Sequence, residues 1–104
     1  MKQDIPYAIT LFQQAAALGY ASSQHKLGVC YEYGTLGLQV DPKLSLGFYT
    51  KAAEQGDPES ELALSGWYLT GAENMLRQSD DHAYYWAKRA ADKGYTMLFY
   101  PFLS

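Results

Sequence analysis

The side chains best suited to acid–base, nucleophilic or metal chemistry are two histidines, one cysteine and a pair of adjacent aspartates. Their spacing keeps them apart. His25 and His82 fall in different segments, and neither has a cysteine or carboxylate partner at ligand spacing, whereas a tetrahedral metal site needs converging donors. His82 follows Asp80 and Asp81, which reads as a solvated acidic first turn of a helix. Cys30 has no adjacent histidine to draw off its proton, so an inert buried thiol is the expectation. The glycines of GTLGLQ lack both the Lys-Ser/Thr pair and the preceding strand of a phosphate loop. The expectation is a protein that is not an enzyme, with no catalytic residue, metal or cofactor.

Recognition chemistry is better represented. Gln24, His25, Glu32, Tyr33, Glu59, Glu61 and Thr70 are charged, polar or aromatic residues that vary where the rest of the chain repeats. Together they make an acidic surface with an aromatic component, whose natural complement is a basic or mixed peptide. Trp67 has two readings. It fills core space beside Ser65 and Gly66, or it is an aromatic anchor of the kind favoured at binding hot spots.

The elements that position these residues come from an internal repeat. AAALG, AAEQG and AADKG end at Gly19, Gly56 and Gly94, spaced 37 and 38 residues apart. Ahead of each lies a small residue and an aromatic or apolar pair: Ala8 with Leu11 and Phe12, Ser45 with Phe48 and Tyr49, Ala83 with Trp86 and Ala87. Ser23, Leu27, Tyr31 and Gly34 follow Gly19 at the offsets by which Ser60, Leu64, Tyr68 and Gly71 follow Gly56. A period in the thirties is the mark of a helical solenoid.

Punctuation sets the helices. Asp4-Ile5-Pro6, Asp41-Pro42 and Asp57-Pro58 place an acidic cap before a first-turn proline, and Ser79-Asp80-Asp81 caps without one. Glycines 19, 34, 56, 71 and 94 stand where a left-handed residue ends a helix. The expected helices run over 5–18, 21–33, 42–55, 58–70 and 80–93. In the third, Leu44, Phe48, Ala52 and Leu46, Tyr49, Ala53 form helical stripes. Tyr31, Tyr49 and Tyr68 read as packing residues with their hydroxyls at the core edge, and Trp86 as structural. The segments 34–41 and 71–79, with Leu36, Leu38, Met75 and Leu76, read as loops folded back onto the helices. The fold class is all-α: a right-handed solenoid of antiparallel helix pairs, about two and a half repeats in one domain over 1–104.

Composition agrees with a soluble, intracellular domain. Hydrophobic residues make up 48%, charged residues 18%, and the net charge is −3. The eight Lys and Arg never cluster, which argues against nucleic-acid binding. No apolar run reaches the roughly 20 residues of a membrane span, so direct membrane insertion is not expected.

The pattern of small residue, aromatic pair, Ala-Ala-x-x-Gly and then Leu-Gly-x-x-Tyr-x-x-Gly resembles the Sel-one-like repeats, relatives of tetratricopeptide repeats. Residues 8–94 carry it, with Ser45 and Ser65 standing where Ala and Gly are usual. The letters between resemble fungal chitin synthase activators: LGVCYEYGTLGLQVDPKLS, then TKAAEQGDPESELALSGWYLTGAENMLRQSD, then AYYWAKRAADKG. That resemblance implies a non-catalytic scaffold that binds a chitin synthase, or its cytoplasmic segment, and positions it in septum and cell-wall formation. It also implies a cytoplasmic protein held at the plasma membrane of the bud neck or septum through its partner. A lipid-anchoring box, found in some of that family, is not expected here. Two alternatives stay open: an adaptor of another complex, such as a membrane-associated ubiquitin ligase, and a repeat-type hydrolase.

The tail 95–104 departs from the repeat, with Leu98, Pro101, Phe102 and Leu103 where small residues and Leu-Gly are due. It reads as an aborted repeat or as an apolar cap. Neither end carries a polar capping repeat, so marginal stability or self-association through 5–18 and 95–103 is expected.

Overall fold

The computed structural model describes residues 5–96, so the Asp4 cap and the tail beyond Thr96 lie outside the described residues. Five helices follow one another: α1 (Ile5–Ala17), α2 (Ala21–Tyr33), α3 (Pro42–Glu54), α4 (Pro58–Thr70) and α5 (Asp80–Ala91). Each packs on its chain neighbour, most extensively α2 on α3 and α4 on α5, and α3 also packs on α4. The architecture is an all-α repeat solenoid.

Local chemistry explains where the helices begin. The Asp41 carboxylate accepts from Leu44 N at 3.1 Å and Asp57 from Ser60 N at 2.9 Å. The Ser79 hydroxyl oxygen accepts from His82 N at 3.1 Å. Each side chain satisfies an N–H that the first turn leaves without a backbone partner.

The Ala-Ala-x-x-Gly signature is a helix-ending device. In each copy the carbonyl of the first alanine accepts from the residue after the glycine: Ala15 from Tyr20, Ala52 from Asp57, Ala90 from Tyr95, at 3.0–3.1 Å. The second alanine carbonyl accepts from the glycine itself, at 2.8–3.0 Å. This paired closure requires a left-handed residue, and Gly19, Gly56 and Gly94 have φ of +96°, +92° and +91°. Closure begins early. α1, α3 and α5 therefore stop at Ala17, Glu54 and Ala91, one or two residues before the ends expected from sequence.

Small residues let the helices approach. Ala52, Ala53, Ala83, Ala87 and Ala90 are fully buried; Tyr49 and Leu64 pack with Ala53, and Tyr68 and Leu69 pack against Ala83 and Ala87. Trp86 packs against the Tyr49–Ala53–Leu64 cluster, the structural role expected for it. At the tightest contact the two full repeats use opposite solutions. Ser45 of α3 donates to the Gly28 carbonyl of α2 at 2.7 Å. In the next repeat Ser65 of α4 donates to the Ala83 carbonyl of α5, also at 2.7 Å. Ser45 and Ala83 are equivalent positions, as are Gly28 and Ser65, so the hydroxyl has changed helices. Gly28 must stay bare because a Cβ there would lie 2.8 Å from the Tyr49 ring. Ser65 is tolerated because Ala87 stands where Tyr49 would be.

The loops dock alike. Asp41 N donates to Tyr31 O and Ser79 N to Tyr68 O, at 2.8 and 2.9 Å. Leu36, Leu38, Met75 and Leu76 are all half-buried, as expected of loops that fold back. At the other end of the stack, Tyr7 and Leu11 of α1 and Leu18 just after it are exposed.

Candidate protein-interaction groove

Between α2 and α4 runs an open groove of about 500 Å³, with Tyr49 of α3 at its base. Val29 of α2 and Leu62, Ala63 and Gly66 of α4 supply apolar lining. Glu32 and Tyr33 come from the last turn of α2, Glu59 from the first turn of α4, and Trp67 and Thr70 from its last turn. Gly66 lies two helical turns after Glu59 and one before Thr70, and its missing side chain keeps that part of the α4 wall low.

Five residues singled out in sequence thus converge: Glu32, Tyr33, Glu59, Trp67 and Thr70. Three others do not. Gln24 is buried, its side chain donating to Ala16 O at 3.2 Å and accepting from Gln55 at 2.8 Å. Glu61 is completely buried, receiving Arg89 from the last turn of α5 at 3.1 Å and Lys93 just beyond it at 2.8 Å. Both face the interior because their offset from the repeat glycine is the inner, helix-facing one. A polar residue type at that offset misled the sequence reading. His25 is half-buried beside the groove, its ring against Tyr49 at 5.8 Å and its Nδ1 3.9 Å from Glu59.

The apolar lining residues Val29, Leu62 and Ala63 escaped the sequence reading because they look like ordinary core positions. Their signal was positional: each lies one turn along α2 or α4 from a residue that was singled out.

Two polar details define the site's chemistry. Tyr49 donates its hydroxyl to Glu32 Oε1 at 2.7 Å. Burial, reinforced by that bond, pushes the Tyr49 phenol far above its ordinary pKa, so it stays a neutral donor that fixes the Glu32 carboxylate. The Trp67 ring lines the groove, while its Nε1 is buried without a hydrogen-bond partner. Such an orphaned donor costs about 1–3 kcal/mol. Trp67 thus packs against the core, as the first reading expected, and also lines the groove.

His82 does not belong to the groove. It is exposed at the start of α5, stacked on Tyr68 at 4.8 Å and 2.9 Å from the Ser79 hydroxyl. Cys30 is buried in α2. Among the described residues, no three His, Cys, Asp or Glu side chains gather as a set able to hold a metal.

Comparison with known proteins gives the following. The Sel1 repeat model matches residues 1–20, 21–57 and 58–95. Chitin synthase regulatory factor 3 of Schizosaccharomyces pombe is 52% identical over 84 residues, which cover 81% of this chain and 9% of that protein. A chitin synthase regulator of Malassezia restricta is 50% identical, covering 88% of this chain and 6% of the relative. One from Saccharomyces cerevisiae is 42% identical, covering 88% and 13%. The chain thus spans only a small part of the length of these relatives. Among solved structures, a Sel1 repeat protein from Oxalobacter formigenes superposes with a TM-score of 0.80 at 32% identity, over 90% of this chain and 37% of that one.

Proposed function

Because this chain belongs to the Sel1 repeat family, we propose that it works without catalysis, as a stacked-helix surface that holds a protein partner. The partner is a chitin synthase or its cytoplasmic segment, in keeping with the regulators it resembles. The observation that carries this reading is the groove, where Glu32, Tyr33, Trp67 and Thr70 converge between α2 and α4. Stacked helices position these side chains rigidly, so little conformational freedom is lost when a partner docks.

No helix among the described residues is long and apolar enough to cross a membrane. In this reading the chain reaches the plasma membrane at the bud neck or septum by holding the synthase. The test is affinity purification from fungal cells, comparing the parent protein with Trp67→Ala and Glu32→Lys. Recovery of chitin synthase with the parent and its loss with both variants supports the proposal. Equal recovery with folded variants overturns it.

A further inference from the structure

Charge and aromaticity are distributed unevenly over this solenoid. The lining of the groove carries two carboxylates, Glu32 on α2 and Glu59 on α4, and no Lys or Arg. Elsewhere the chain places its own cations over its own rings: Lys26 over Phe12, Lys51 over Phe48, and Arg89 over Tyr85 and Trp86, at 5.6–5.9 Å. Among the described residues no cation sits over Tyr33 or Trp67, although Tyr33 is 67% exposed. The groove thus offers a carboxylate and an aromatic face on each wall, with no Lys or Arg of its own among its lining.

We propose that the groove's occupant is a short extended protein segment bearing Lys or Arg, which pairs with Glu32 and Glu59 and lays its cation over Trp67 or Tyr33. This rests on the groove being the partner site. An ammonium or guanidinium gains from both carboxylate and aromatic neighbours. An acidic or phosphorylated segment meets like charge on both walls. The 13 residues of α2 and of α4 span about 20 Å, the reach of about six extended residues. Val29, Leu62 and Ala63 offer apolar lining for side chains between the cations.

The test is selection of random octapeptides displayed on phage against the full chain, counter-screened on the Glu32→Gln/Glu59→Gln double variant and on Trp67→Ala. Gln at position 32 still accepts from Tyr49, and the Glu59 side chain is 64% exposed; circular dichroism checks that both variants fold. The expected result is Lys- and Arg-rich sequences whose affinity falls about fivefold or more on each variant. Peptides without basic bias that still depend on Trp67 would overturn the assigned chemistry and keep the groove as the site. Peptides indifferent to all three residues would overturn both. Dimerisation abolished by the double variant would mean a second copy fills the groove, and would also overturn the assignment.

Discussion

Glu61 receives the Lys93 ammonium at 2.8 Å in the place where the preceding repeat joins Gln24 to Gln55, also at 2.8 Å. Gln24 and Glu61 share one offset from the repeat glycine, and Gln55 and Lys93 share another. One repeat closes with a neutral amide pair and the next with an ion pair. Gln55 also donates to Gly19 O at 2.8 Å, tying the lock to the end of α1. Each lock joins the start of one helix to the end of the next, α2 to α3 and α4 to α5.

The exchange can be tested as a cycle. Glu61→Gln alone and Lys93→Gln alone should each lower stability, the second by leaving a fully buried carboxylate with less compensation. The double variant recreates the amide pair of the first repeat and should recover part of the loss. Urea unfolding should give a coupling energy of about 0.5–3 kcal/mol, and strict additivity would contradict the equivalence.

Two helix-interior glycines should respond oppositely to alanine. At Gly28 the new Cβ would sit 2.8 Å from the Tyr49 ring, an overpacking cost of about 1–3 kcal/mol. At Gly66 nothing lies within 4 Å, and alanine should add about 0.5–1 kcal/mol of stability. Thermal unfolding of the two variants checks both signs. Because Gly66 lines the groove, the stabilised variant should also bind its partner less well.

Trp67→Phe should separate stability from binding. Losing the larger ring removes packing, but it also removes an unpaired buried N–H. These opposing effects, each about 1–3 kcal/mol, should leave stability within about 1 kcal/mol of the parent. Partner affinity should still fall, because a smaller aromatic face remains. A large drop in melting temperature would mean that Trp67 is a core residue first.

Tyr49 makes the fold sensitive to alkali. Its folded pKa is raised, by burial first and then by Glu32, so ionisation favours the unfolded chain. Its contribution is complete below the unfolded value of about 10 and is lost as pH climbs toward the folded one. Stability measured between pH 8 and 11.5 should fall less steeply for Tyr49→Phe than for the parent. Parallel curves would contradict the assignment.

The fold was legible because its punctuation is local. Asp41, Asp57 and Ser79 cap the helices they precede in sequence, and the Ala-Ala-x-x-Gly closures depend on residues five apart or fewer. The groove was half legible. Glu32, Tyr33, Trp67 and Thr70 stood out as departures from the repeat, and departures gather where a surface is particular. Gln24 and Glu61 stood out equally, yet they are buried, since a departure can also be compensated inside by a partner many residues away. Gln55 and Lys93 are those partners, 31 and 32 residues downstream. Ser45 and Ser65 looked like isolated irregularities and are one exchange of a hydroxyl between helices.

The groove's role as the partner site is tested most directly by mapping amide shifts on the isotopically labelled chain as cytoplasmic segments of chitin synthase are added. The expected perturbations centre on Glu32, Tyr33, Glu59, Trp67 and Thr70, and vanish in Trp67→Ala. Shifts confined to the exposed Tyr7, Leu11 and Leu18 in and just after α1, or to Leu44 and Phe48 of α3, with the groove silent, would contradict it.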